Sequence, residues 1–109
     1  MPFEFDRAHY RVTYPIAARP TLEWDGRPCV VLDVSEHGIL FLPPDKTQTK
    51  LGAPVKGVLR FRSGRTATVD GTVVRFFDGQ AGVQLNTDLP YRLIVDEQLY
   101  LQKRFPARG

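Results

Sequence analysis

Two short stretches carry side chains that could act together on a ligand. The first is Arg7-Ala8-His9-Tyr10-Arg11, near the start of the chain. A spacing of four returns side chains to one side in either regular backbone state, one turn of a helix or two alternations of a strand. Arg7 and Arg11 therefore point the same way whichever conformation the arm takes. Each guanidinium is a permanent cation with a planar fork of donors, suited to phosphate, to carboxylate or to the O6/N7 edge of guanine. Taken alone, the pair reads more simply as solvated charge near a terminus.

The second stretch is Asp33-Val34-Ser35-Glu36-His37-Gly38. If the preceding "VVLDVS" is extended, Val30, Leu32 and Val34 share the core face, and Asp33 and Ser35 project together to the other side. A carboxylate and a hydroxyl then stand side by side just before a turn. Gly38 either bends the chain there or lets another group approach closely. On its own the segment also fits an ordinary strand end, with an Asp and a Ser serving a turn.

These residues need a scaffold, and the composition says which kind. At 109 residues the chain suits one domain with one core. Hydrophobic residues at 42% and charged residues at 25% are those of a soluble globular protein. No apolar run is long enough to span a bilayer, and the opening "MPFEFDR" lacks the basic start and apolar stretch of a secretory signal, so a cytoplasmic site is expected. Cys29 is the single cysteine, which removes internal disulfides and cysteine-cluster metal sites and suits a small buried hydrophobe. The net charge of +3 leans toward an anionic partner. Only Lys46, Lys50, Lys56 and Lys103 among the 15 basic residues are lysine, so arginine dominates and favours shaped, bidentate recognition.

From Thr21 to Leu85 the chain gives short β-type runs separated by turn signals: "TLEW", "RPCVVLDVS", "GILFLPP", "VKGVLRFR", "RTATVDGTVVRFF" and "QAGVQL". Asp25-Gly26 and Asp78-Gly79 are hairpin signals, Ser63-Gly64 is a third turn, and "DKTQTKLG" is a polar loop. Six such strands in so short a chain predict a mainly β fold, a six-stranded antiparallel barrel. Alternation agrees: Leu59 and Phe61 oppose Arg60 and Arg62, and Ala81, Val83 and Leu85 oppose Gln80, Gly82 and Gln84. The tail changes period and predicts a helix over 88–105. Thr87 or Asp88 would cap it, Pro90 would sit in its first turn, and Tyr91, Ile94, Val95, Leu99, Leu101 and Phe105 would form its buried face. Leu93 and Tyr100 then fall on the far side. Contact with a partner or a second copy, as in a homodimer, and isolated surface apolar residues are equally open readings of that pair. The whole reads as one domain: a flexible N-terminal arm over 1–14, the barrel over 20–86 and the helix.

An "RxxxR" arm followed after one hairpin by a "[D/N]xSxxG" segment resembles the PilZ family, and both motifs are present in order, with Arg11 and Asp33 separated by 22 positions (33 minus 11). "DGTVVRF" and "AGVQL" resemble later strands of that domain, so the likeness runs over nearly the whole chain. It implies a receptor for the bacterial second messenger cyclic di-GMP, working without a cofactor and signalling to an effector protein. By the same likeness Arg7 and Arg11 would grip guanine O6/N7 and phosphate, and Asp33 would accept from guanine N1 and N2. Ser35 would add a hydroxyl contact, Gly38 would leave room and Arg75 would lend supporting charge. The arm would wrap over the barrel when ligand binds. Asp6 departs from the basic or apolar residue often found before the motif, and an acidic group beside phosphates should weaken binding or favour a single bound ligand.

Other classes of function fit less well. Asp33, Ser35 and His37 hold the residue types of a hydrolytic triad, but alternate positions on one segment do not assemble a relay, and no G-x-S-x-G elbow is present, so no enzyme is expected. His9 and His37 lack the further ligands of a metal site. The alternatives from other classes are a small-barrel binder of single-stranded nucleic acid, with Tyr10, Trp24, Phe76 or Phe77 as stacking platforms, and an adaptor working only through protein contacts.

Overall fold

The computed structural model describes residues 11–44 and 49–105; Arg7 and the rest of residues 1–10, with 45–48 and 106–109, lie outside the described residues. Seven strands run in chain order: β1 (Arg11–Thr13), β2 (Thr21–Trp24), β3 (Arg27–Ser35), β4 (Gly38–Leu42), β5 (Pro54–Arg60), β6 (Thr66–Phe77) and β7 (Gln80–Leu85), followed by helix α1 (Tyr91–Arg104). Every pairing is antiparallel, in the order β1-β3-β2-β5-β6-β7-β4, and a further β3–β4 pairing closes β2 to β7 into a six-stranded barrel. Closure removes most strand edges, and β1 covers the second half of β3, which β2 does not reach. The two Asp-Gly turns are tight because both residues of each take positive φ, 55° and 75° at Asp25 and Gly26, 54° and 76° at Asp78 and Gly79. Such turns match the twist of the strands they join.

The barrel is filled by alternate residues of all its strands, including Leu22, Cys29, Val31, Phe41, Val55, Leu59, Val69, Val73, Ala81 and Val83. Three features depart from the sequence reading. The arm contributes to folding, because Arg11, Val12 and Thr13 pair with Ser35, Val34 and Asp33, and Val12 and Tyr14 are buried in the core. The inner face of β3 holds Cys29, Val31 and Val34 in place of Val30, Leu32 and Val34, since Leu32 is an extra residue with no partner on β4 and the register shifts there. A single inserted residue reverses the face of everything after it.

The third departure concerns the helix. Pro90 occupies the N-cap position, with no side-chain cap, where Thr87 or Asp88 was expected. Its locked φ suits a helix start and its missing N–H removes a donor that would lack a partner. The buried face is Ile94, Glu97 and Leu101, with Leu93 and Tyr100 packed against the core, while Tyr91, Leu99 and Phe105 are exposed. Apolarity misled the pattern because a glutamate holds the middle of the inward face. Glu97, only 1% exposed, accepts from the Tyr14 hydroxyl at 2.7 Å, from the Ser63 hydroxyl and from Arg65 Nη1 at 3.3 Å. One buried carboxylate thus ties the helix to the end of β1 and to the β5–β6 turn. No helix among the described residues is long and apolar enough to cross a membrane.

Candidate functional site

Cross-strand partners in a sheet present their side chains to the same face. On the outer face, the register runs Thr13 to Asp33, Asp33 to Leu40, Leu40 to Gly82 and Gly82 to Arg75, one row crossing β1, β3, β4, β7 and β6. Asp33 and Arg75 stand three strand spacings apart along it, about 14 Å. Beside this row Arg11 pairs with Ser35, and Gly38 pairs with Gln84. Arg11, Asp33, Ser35, Gly38 and Arg75 therefore come together around one outer basin of about 190 Å³. Its wall also includes His37, Val74 and Gln84, which sequence reasoning did not assign to the site. The signal for Gln84 was its outward place in "QAGVQL"; nothing in one sequence shows that β7 lies beside the Asp33 segment.

Two irregularities put the charges there. Cys29 and Val31 face inward, so a regular strand would carry Asp33 inward as well. The extra residue Leu32 turns it out. On β6, Val69, Gly71 and Val73 face inward, and the extra residue Val74 turns Arg75 out by the same device. Bulges commonly re-aim side chains at functional sites. Arg75 then lies across Gly82, where a Cβ would meet its Nε at 3.3 Å, and its guanidinium sits 5.6 Å from the Phe77 ring centroid.

Electrostatics are strained at the centre. Arg11 Nη1 is 3.6 Å from Asp33 Oδ2, a loose ion pair. Burial raises the Asp33 pKa, and the charges of Arg11 and then Arg75 pull it back only in part. Ser35 is spoken for locally: its hydroxyl accepts from Gly38 N at 3.1 Å and faces the Gly38 carbonyl at 3.3 Å. Gly38 has ordinary φ. The residue is required for close approach, since a Cβ there would stand 2.9 Å from the Val83 carbonyl oxygen. Of the two reasons the sequence allowed for this glycine, only the second holds.

The aromatic residues considered for base stacking are placed otherwise. Trp24 makes an edge-on contact with Phe41 at 5.6 Å, Phe76 packs on the core, and Phe77 lies against Arg75; Tyr10 is outside the described residues. Among the described residues no group of three His, Cys, Asp or Glu side chains could hold a metal ion.

A family model described as PilZ domain matches residues 5–100. The fold is similar to an uncharacterised Legionella protein, Lpg0364, with a TM-score of 0.61 at 14% identity, covering 88% of this chain and 98% of that one. It is also similar to the Bacillus subtilis inhibitor of motility MotI/DgrA, with a TM-score of 0.66 at 13% identity, covering 98% of this chain and 58% of that one. Among curated protein sequences, none matches.

Proposed function

The chain belongs to the PilZ domain family, whose known role is binding cyclic di-GMP as receptors and adaptors, and we propose that its outer basin is a cyclic di-GMP site. The observation that carries the reading is the pair of bulges that turn Asp33 and Arg75 into one outward row beside Arg11, Ser35 and Gly38. The ligand brings guanine edges and two phosphodiester charges. Arg11, joined by Arg7 of the same motif, supplies bidentate donors for guanine O6/N7 and phosphate. Asp33, already desolvated and loosely paired, accepts from guanine N1 and N2, and Arg75 adds charge from the opposite wall. Ser35 holds the turn through Gly38 and offers its remaining capacity to the ligand.

Because Arg11–Thr13 already pair with β3, any ligand-driven ordering belongs to the residues before Arg11. Such ordering would create the surface that an effector protein reads. Amide exchange of residues 6–10 should slow when ligand is added, and unchanged exchange would remove this part of the reading. The site itself is tested by calorimetric titration of cyclic di-GMP into the wild type, Arg7→Ala, Arg11→Ala and Asp33→Ala. Each lost charge-assisted contact should weaken binding by about 1.5 to 3 kcal/mol, roughly tenfold to more than a hundredfold. Asp6 predicts one ligand per chain. Absence of binding by the wild type would leave an adaptor working through protein contacts alone.

A further inference from the structure

His37 lines the basin but has no part in the motif chemistry above. It sits on the β3–β4 turn with its side chain 47% exposed, and its Nδ1 lies 2.9 Å from Asp88 Oδ1 in the segment between β7 and α1. The turn is pinned by backbone as well: Leu85 N donates to the His37 carbonyl and Leu89 N to that of Glu36, each at 2.8 Å. The imidazole is thus held at the rim, while Nε2 makes no hydrogen bond among the described residues. With Nδ1–H donating to Asp88, Nε2 is an acceptor when the ring is neutral and a donor when it is protonated. Phosphate oxygens and guanine O6 and N7 only accept.

We propose that His37 is a further ligand-contacting residue, whose imidazolium Nε2–H donates to an acceptor on the bound anion and so links affinity to a proton. The inference rests on the cyclic di-GMP reading of the basin. The charged groups facing the ring are Asp88 on the β7–α1 segment, Glu36 on its own turn, and Arg11, Asp33 and Arg75 across the basin from β1, β3 and β6. The hydrogen bond to Asp88 raises the His37 pKa above 6.5, desolvation opposes it, and the charges of Asp88 and Glu36 add to the rise. The imidazolium is fully formed below that pKa and lost above it, so affinity declines as pH rises. One linked proton limits the slope to about tenfold per pH unit.

The test titrates the full chain with cyclic di-GMP between about pH 6 and pH 8.5, as wild type and as His37→Gln, in two buffers of different ionisation enthalpy. Wild-type affinity should fall roughly three- to tenfold across the range, with fractional proton uptake on binding within it. His37→Gln should be flat, close to the wild-type affinity at high pH, and take up no proton. The His37 imidazole, followed by NMR, should titrate at higher pH with ligand bound. Binding whose slope survives in His37→Gln, or an imidazole unmoved by ligand, overturns this inference alone. Absence of binding at every pH overturns the cyclic di-GMP reading together with it.

Discussion

Removing the Glu97 carboxylate should unfasten the helix from both the arm and the β5–β6 turn. In Glu97→Ala, the buried Tyr14 hydroxyl loses its acceptor at 2.7 Å, Ser63 loses its own, and Arg65 retains only the more distant Asp96 at 3.9 Å. Stranding a buried hydroxyl costs about 1 to 3 kcal/mol, and breaking a buried charged cluster by deleting one partner costs about 3 to 5 kcal/mol in all. Arg65 is partly exposed and recovers solvation, which places the expected loss toward the lower bound of that range. Tyr14→Phe removes one hydroxyl and leaves Glu97 two partners, so about 1 kcal/mol is expected. Tyr14 remains a donor throughout the working range, because burial and then the bond to Glu97 push its pKa far up. For a domain near this size each kcal/mol moves Tm by roughly 4 to 8 °C, giving a drop of about 12 to 25 °C for Glu97→Ala. Thermal unfolding of the two single variants and the double variant closes a cycle, in which contact predicts a coupling of at least about 0.5 kcal/mol. Additive effects, or a Glu97→Ala protein melting within a few degrees of wild type, would refute the view that this carboxylate joins arm to helix.

Two further outcomes follow from the basin. Gly38→Ala forces a Cβ against the Val83 carbonyl at 2.9 Å, backbone that cannot step aside, so Tm should fall by roughly 5 to 15 °C and binding should weaken with it; a variant as stable as wild type would show that the β4–β7 ladder yields. Asp33→Asn should abolish tight ligand binding yet raise the Tm of the unliganded protein at neutral pH. The sign follows from the raised pKa: the folded protein holds the Asp33 proton more tightly than the unfolded chain, so ionisation removes stability as pH rises from about 3.8 through the folded value. Subtracting the two stability-versus-pH curves isolates this residue, and a variant less stable than wild type above pH 6 would contradict it.

The strand boundaries were legible because their signals are local. The Asp-Gly turns and the alternation in "VKGVLRFR" and "QAGVQL" act over a few residues, and β2 to β7 lie where those signals put them. The role of the arm was not legible. "RVT" is too short to show a period, and Val12 and Tyr14 join the core only because the second half of β3 has an open edge for them. The helix face was misjudged for a related reason: an inward glutamate looks polar in sequence, and its partners Tyr14, Ser63 and Arg65 lie 83, 34 and 32 residues away.

Asp33 carries the sharper lesson, because its outward direction was inferred correctly from the wrong partners. Val30 and Leu32 were assigned to the core to make Asp33 face out, whereas Cys29 and Val31 occupy the core and the inserted Leu32 reverses the parity. A regular β3 would direct the carboxylate into an apolar barrel, where an unpaired charge is prohibitive. The same argument holds on β6, where a regular continuation past Val73 would bury the Arg75 guanidinium. Both bulges therefore fall where a strand must change from supplying core to supplying charge. They border the same β4–β7 pair, so the two reversals face one another across Leu40 and Gly82 and produce a basin with an acid on one wall and a base on the other.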